Sequence, residues 1–84
     1  MKLEETGLTF EDIKEKVNKY MIETYERMDF LAESAKDQYI YNEKGEKYLD
    51  FYAGIAVNSA GSCNEKVVKA VVDQAQTLMH TFNY

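Results

Sequence analysis

Apolar residues recur at Phe10, Ile13, Val17, Tyr20, Met21 and Tyr25, with Glu11, Lys14, Glu15, Lys16 and Lys19 between them. That spacing gathers the apolar side chains on one helix face and predicts an amphipathic helix from about Phe10 to Glu23. Thr9 stands where an N-cap belongs, and Asp12 lies in the first turn, where an acid suits the helix dipole. Tyr20 is expected to pack under this helix. Tyr25 falls where the helix ends and the chain turns, a position from which a phenol can point into a cleft. Residues 1–8 show no period and are expected to fray.

The period changes after residue 30. Phe30-Leu31-Ala32 is a short apolar run, and Gln38-Tyr39-Ile40-Tyr41 is aromatic and β-branched, as strands are. Asn42-Glu43-Lys44-Gly45 has turn chemistry, with glycine free to adopt positive φ, and Lys47-Tyr48-Leu49-Asp50-Phe51 returns. Two such runs across a short glycine-containing loop predict a β-hairpin. The Phe30 run supplies a third strand, because a lone hairpin is marginal in water. Tyr39, Tyr41 and Tyr48 read as cross-strand packing residues.

Tyr52 to Asn64 is rich in glycine and serine and reads as a loop, with one brief extended stretch at Ile55-Ala56-Val57. Asn64 is placed to cap a second helix, whose apolar face is Val67, Val68, Val71, Ala75, Leu78 and Met79. The predicted order is helix, three-stranded antiparallel meander, loop, helix: an α+β class. Residues 1–27 form a helical arm and residues 28–84 an α+β segment.

Charge and composition narrow the function. A net charge of -5 over 84 residues gives no basic face for nucleic acid. No apolar run approaches the ~20 residues of a membrane span, the first residues lack the apolar core of a signal peptide, and a cytoplasmic location is expected. Cys63 is the single cysteine, so no disulfide forms within the chain, which suits a reducing compartment. A buried, inert thiol is the expected state. His80 is the single histidine and is read as a partly buried or helix-terminal residue; no metal site is expected. Gly54 and Gly61 are too far apart for a phosphate-cradling loop. No residue of the chain is assigned a catalytic role.

The stretch Tyr39-Ile-Tyr-Asn-Glu-Lys-Gly-Glu-Lys-Tyr-Leu-Asp-Phe-Tyr-Ala-Gly-Ile-Ala-Val-Asn58 resembles the N-terminal sheet of class-III pyridoxal-phosphate-dependent aminotransferases. The elements that carry the likeness are Leu49-Asp50-Phe51 and Gly54-Ile55-Ala56-Val57. Val67-Val68-Lys69-Ala70-Val71 and Leu78-Met79-His80-Thr81 resemble the family's next helix and its exit. Thr24-Tyr25-Glu26-Arg27 resembles the arm before the sheet. The likeness covers most of the chain and is strongest to the acetylornithine and ornithine type. One departure stands out: Ser62-Cys63-Asn64-Glu65 replaces the family's usual His-x-His-Pro.

The resemblance implies part of the small domain of a fold type I enzyme that works as a homodimer. It implies transfer of an amino group from an ornithine-like donor, acetylornithine foremost, to 2-oxoglutarate, as in arginine biosynthesis. Pyridoxal phosphate would be held through a lysine of the large domain, which has no match here, so this chain alone is not expected to bind the cofactor or to be a complete catalyst. Two substrate-binding positions carry over: Tyr25, whose phenol would donate to a substrate carboxylate, and Ile55, which would wall the cleft. The chain stops soon after a helix without a turn signal, and an end inside a longer enzyme is expected, with the rest of that chain and a second subunit as partners. The other reading is a stand-alone α+β interaction module without activity. Under either reading the exposed apolar groups should make the isolated chain self-associate.

Overall fold

The computed structural model describes residues 1–83; Tyr84, the last residue of the 28–84 segment, lies outside them. The elements are α1 (Leu3–Thr6), α2 (Phe10–Tyr20), β1 (Ala32–Lys36), β2 (Tyr39–Asn42), β3 (Lys47–Leu49) and α3 (Glu65–Thr77). The strands form one antiparallel sheet in the order β1-β2-β3, so the fold is α+β as the pattern predicts. The chain divides into two units, Met1–Ser34 with Ile40–Tyr48, and Ala35–Tyr39 with Leu49–Tyr84.

In the first unit, Thr9 caps α2 in both directions. Its hydroxyl accepts the Asp12 N–H at 3.1 Å, and the Asp12 carboxylate accepts the Thr9 N–H at 2.8 Å. That backbone bond, helped by the Thr9 hydroxyl, holds the Asp12 carboxyl below its usual value. A depressed carboxylate stabilises at neutral pH, and this contribution is lost as the pH falls through the carboxylate range.

Two expectations for this region are corrected. Residues 1–8 do not fray throughout: they contain α1, closed by Gly7 at φ 71 and tied by the Glu5 side chain to the Lys2 N–H and by the Glu33 carboxylate to the Leu3 N–H. One helical turn is too short to show a period, which hid it. Helix α2 ends at Tyr20 rather than Glu23, with Met21 extended at φ -107 and ψ 141. β-Branched Ile22 and Thr24 lower helix propensity slightly beyond that point. Tyr20 therefore does not pack under α2; it is exposed, with the Lys19 ammonium 5.2 Å from its ring centroid.

The hairpin turn is organised by Asn42, the one buried residue of the described chain. Its side-chain oxygen accepts from the N–H groups of Lys44 and Glu46, and its amide donates to the Glu46 carboxylate at 3.1 Å. Gly45 turns the chain at φ 78. The third strand exists but begins only at Ala32, the last residue of the apolar run. Phe30 precedes it and meets Tyr48 edge-on, with ring centroids 5.0 Å apart. Burial alternates along β1, with Glu33 and Ala35 half-buried and their neighbours exposed, the period-two signature of a strand with one covered face.

In the second unit, the Asp37 and Ser62 backbones pair reciprocally at 2.8 Å, and Gly61 passes close against Asp37 at φ 79. The expected extended stretch at Ile55-Ala56-Val57 is absent: residues 54–57 form a turn, with Ala53, Gly54 and Ala56 all at positive φ. Asp50 causes it, its carboxylate accepting the N–H groups of both Tyr52 and Ala53 at 2.9 Å and curling the chain. Helix α3 is capped by Asn64 as expected but closes at Thr77, leaving Leu78 extended and Met79 beyond the helix. Cys63 is exposed rather than buried, and His80 is exposed past the end of α3.

No apolar side chain among the described residues is buried. Val67, Val68, Val71 and Val72 of α3 are 44–61% exposed, although their spacing is that of a helix face meant to be covered. Phe51, Tyr52, Ile55 and Val57 are still more open. The isolated 84-residue chain should therefore associate with itself through these surfaces. Sedimentation equilibrium at high micromolar concentration should show mass above the monomer's 9.8 kDa; a strict monomer would refute this.

Candidate functional site

The first unit contains an open cleft of about 1020 Å³, bounded by α2 and by the irregular segment that follows it. Phe10, Ile13 and Val17 supply an apolar wall one helix face long, and Tyr25, Arg27 and Phe30 line the other side. The volume is at the upper end of small-molecule sites, and besides its apolar wall the lining carries Lys14, Asn18, Glu23, Glu26, Arg27 and Asp29, so the cleft is strongly polar as well. Helix α2 forms that wall because its apolar residues recur every three or four positions.

Two cations border the cleft. Lys14 is committed: its ammonium lies 2.7 Å from Glu11 and 2.9 Å from Asp29, and it also sits 4.7 Å from the Phe10 ring centroid. The Asp29 carboxylate, followed by Glu11, holds the Lys14 ammonium above its usual value, so it stays charged through the neutral range. Arg27 is different. Its guanidinium lies 4.6 Å from the Tyr25 ring centroid and makes no ion pair among the described residues.

Tyr25 lies on this cleft, and its side chain is open to solvent, 64% exposed. Its hydroxyl is free to reach a ligand, since no hydrogen bond within the described residues uses it. Ile55 lies in the second unit, at the tip of the 54–57 turn, and is 80% exposed. Each is accessible within its own unit. Sequence reasoning missed Arg27: Tyr25-Glu26-Arg27 lies in irregular backbone with no strand period to pair the two side chains.

The tetrapeptide Ser62-Cys63-Asn64-Glu65 is fully occupied with local structure. Ser62 pairs with Asp37, the Cys63 carbonyl accepts from the Lys36 ammonium at 3.0 Å, and Asn64 caps α3. Among the described residues there is no group of histidine, cysteine and acidic side chains that would hold a metal, and no helix is long and apolar enough to cross a membrane.

The family model for class-III aminotransferases matches residues 20–84. An acetylornithine aminotransferase of Methanocaldococcus jannaschii is 46% identical over 65 residues, 77% of this chain and 16% of that protein. One from Caldanaerobacter subterraneus subsp. tengcongensis is 42% identical over the same coverage of each. The crystal structure of the ornithine aminotransferase from Toxoplasma gondii, described with partial occupancy of pyridoxal phosphate at its active site, superposes with a TM-score of 0.80 at 28% identity. That match covers 96% of this chain and 20% of the solved one. The chain thus spans less than a fifth of the length of these two relatives.

Proposed function

This chain belongs to the class-III aminotransferase family, and we propose that it serves as the amino-terminal segment of a transaminase acting on an ornithine-like donor. The donor's terminal amino group passes to 2-oxoglutarate, leaving an aldehyde and glutamate. Acetylornithine is the preferred donor in this reading, which would place the enzyme in arginine biosynthesis. The observation that supports this reading is the open cleft carrying Tyr25, in a chain 46% identical over 65 residues to an acetylornithine aminotransferase. The helical arm, residues 1–27, then contributes Tyr25 to a substrate site. The rest of the chain and a second subunit complete it. A homodimer in the cytoplasm fits this reading.

Pyridoxal phosphate supplies the carbonyl chemistry of such enzymes, but this chain's residues do not form its site. No lysine among the described residues is buried. The Asp12 N–H at the start of α2 goes to Thr9, and the Lys66 and Val67 N–H groups at the start of α3 go to Asn64. In this reading the cofactor is held by other parts of the complete enzyme. Incubating the isolated chain with pyridoxal phosphate, then reducing with borohydride, should give no stoichiometric, site-specific adduct by mass spectrometry; one labelled lysine at full occupancy would contradict this.

What this segment contributes is recognition: an apolar wall for an aliphatic stem, and at Tyr25 a hydroxyl donor for a carboxylate. The deciding assay measures glutamate formation by the complete enzyme from 2-oxoglutarate with acetylornithine, ornithine or an unrelated α-amino acid as donor. Preference for the first two supports the assignment, and activity only with the third overturns it. The exposed valine face of α3 favours a second reading, an inactive interaction module; no turnover with any donor would select it.

A further inference from the structure

We propose that the Lys14–Asp29 ion pair is a reversible clasp that ties the segment after α2 back to the middle of that helix, so that the spacing of these two walls follows the state of one exposed bridge. The inference concerns the walls themselves and does not depend on what lies between them.

The chain runs from Met21 to Leu31 without helix or strand. Backbone of this kind has no hydrogen-bond ladder of its own, so contacts at its ends and along its length decide where it lies. At the near end, the Met21 N–H donates to the Val17 carbonyl at 3.0 Å and closes the helix. At the far end, Phe30 meets Tyr48 edge-on. Past the helix cap, one polar contact among the described residues joins α2 to the segment: the Lys14 ammonium donates to the Asp29 carboxylate at 2.9 Å, across fifteen positions of the chain.

The surroundings of Lys14 suit a tie that opens and recloses. Glu11, one turn earlier on the same helix, lies 2.7 Å from the ammonium, and the Phe10 ring centroid lies 4.7 Å from it. These contacts order the lysine before it reaches Asp29, so the bridge gives up less rotamer freedom than a lone pair would. The Asp29 side chain is 78% exposed, so water and salt compete for it and the bridge is weak. When Asp29 leaves, Glu11 still balances the lysine, and opening strands no unpaired cation on the wall.

The test is limited trypsin digestion of the complete enzyme, with cleavage after Arg27, in the middle of the segment, followed by mass spectrometry. At low protease the cleavage rate tracks the population in which the segment has left α2. Asp29→Asn and Lys14→Gln should each raise that rate about two- to five-fold, as befits a weak exposed pair. The double variant should cleave no faster than either single one, because both remove the same tie. Raising the salt from about 0.01 M to about 1 M should speed cleavage of the wild type more than that of Asp29→Asn. Cleavage after Lys69 of α3 is the control for general loosening and should stay at the wild-type rate in all variants. Unchanged cleavage after Arg27 in either single variant would overturn the proposal. So would increases that multiply in the double variant, an equal rise at Lys69, or no cleavage after Arg27 in any of the proteins, which would mean that other contacts hold the segment.

Discussion

Tyr25→Phe in the complete enzyme is expected to lower kcat/KM for the amino donor about ten- to hundred-fold, the consequence of losing one charge-assisted hydrogen bond worth roughly 1.5–3 kcal/mol. The expectation follows from position. The phenol stands on an open cleft, is 64% exposed and spends its hydroxyl on nothing within the described residues. Removing that oxygen leaves the ring under Arg27 and costs the fold almost nothing, so the melting temperature should stay at the wild-type value. The two half-reactions should separate. The half-reaction with the donor should slow, and that with 2-oxoglutarate should respond less, because its two carboxylates need not share the donor's contacts. Single-turnover stopped-flow measurement of each resolves them. Both staying within about two-fold of wild type would return Tyr25 to the status of a surface aromatic.

Gly61→Ala should destabilise the segment by roughly 2–4 kcal/mol. Two effects add. The residue sits at φ 79, where an L side chain is strained, and an added Cβ would lie 3.1–3.3 Å from the Asp37 backbone. That backbone cannot step aside, since it exchanges two hydrogen bonds of 2.8 Å with Ser62, the neighbour of Gly61. Gly45 is the internal control. Its φ of 78 is nearly identical, but a Cβ there meets nothing within 4 Å. Gly45→Ala should therefore show the conformational strain alone, about 1–2 kcal/mol. Denaturant unfolding of the two variants in the complete enzyme separates strain from collision. Equal losses would show that the approach to Asp37 carries no cost.

The same two glycines illustrate what a sequence can reveal. Gly45 is legible because it belongs to a local turn, Asn42 to Gly45, whose chemistry is complete within four residues. Gly61 is not, because the constraint on it comes from Asp37, far back in the chain. The N-caps Thr9 and Asn64 were equally legible, each acting on N–H groups two or three residues ahead. Helix ends were not: apolar periodicity runs on through Met21 and Tyr25 and through Leu78 and Met79, while the backbone has already turned extended. Periodicity reports which residues want cover, not where the hydrogen-bond ladder stops. At the cleft, Tyr25 was found through family likeness, whereas Arg27 emerged only when its guanidinium was located over the ring.

The turn that presents Ile55 is built from alanines in a conformation usually left to glycine. Ala53 at φ 59 and Ala56 at φ 56 flank Gly54 and Ile55. Each such residue costs the folded state about 1–2 kcal/mol, and glycine would remove that cost. Glycine would also return freedom to the unfolded chain, roughly 0.4–1 kcal/mol per position, so the two changes partly cancel. What does not cancel is stiffness. Methyl groups at 53 and 56 remove the wide basin of alternatives that glycine would open on either side of Gly54 and Ile55. Glycines at 53 and 56 would therefore widen the range of positions that Ile55 samples, which trimming its side chain would not.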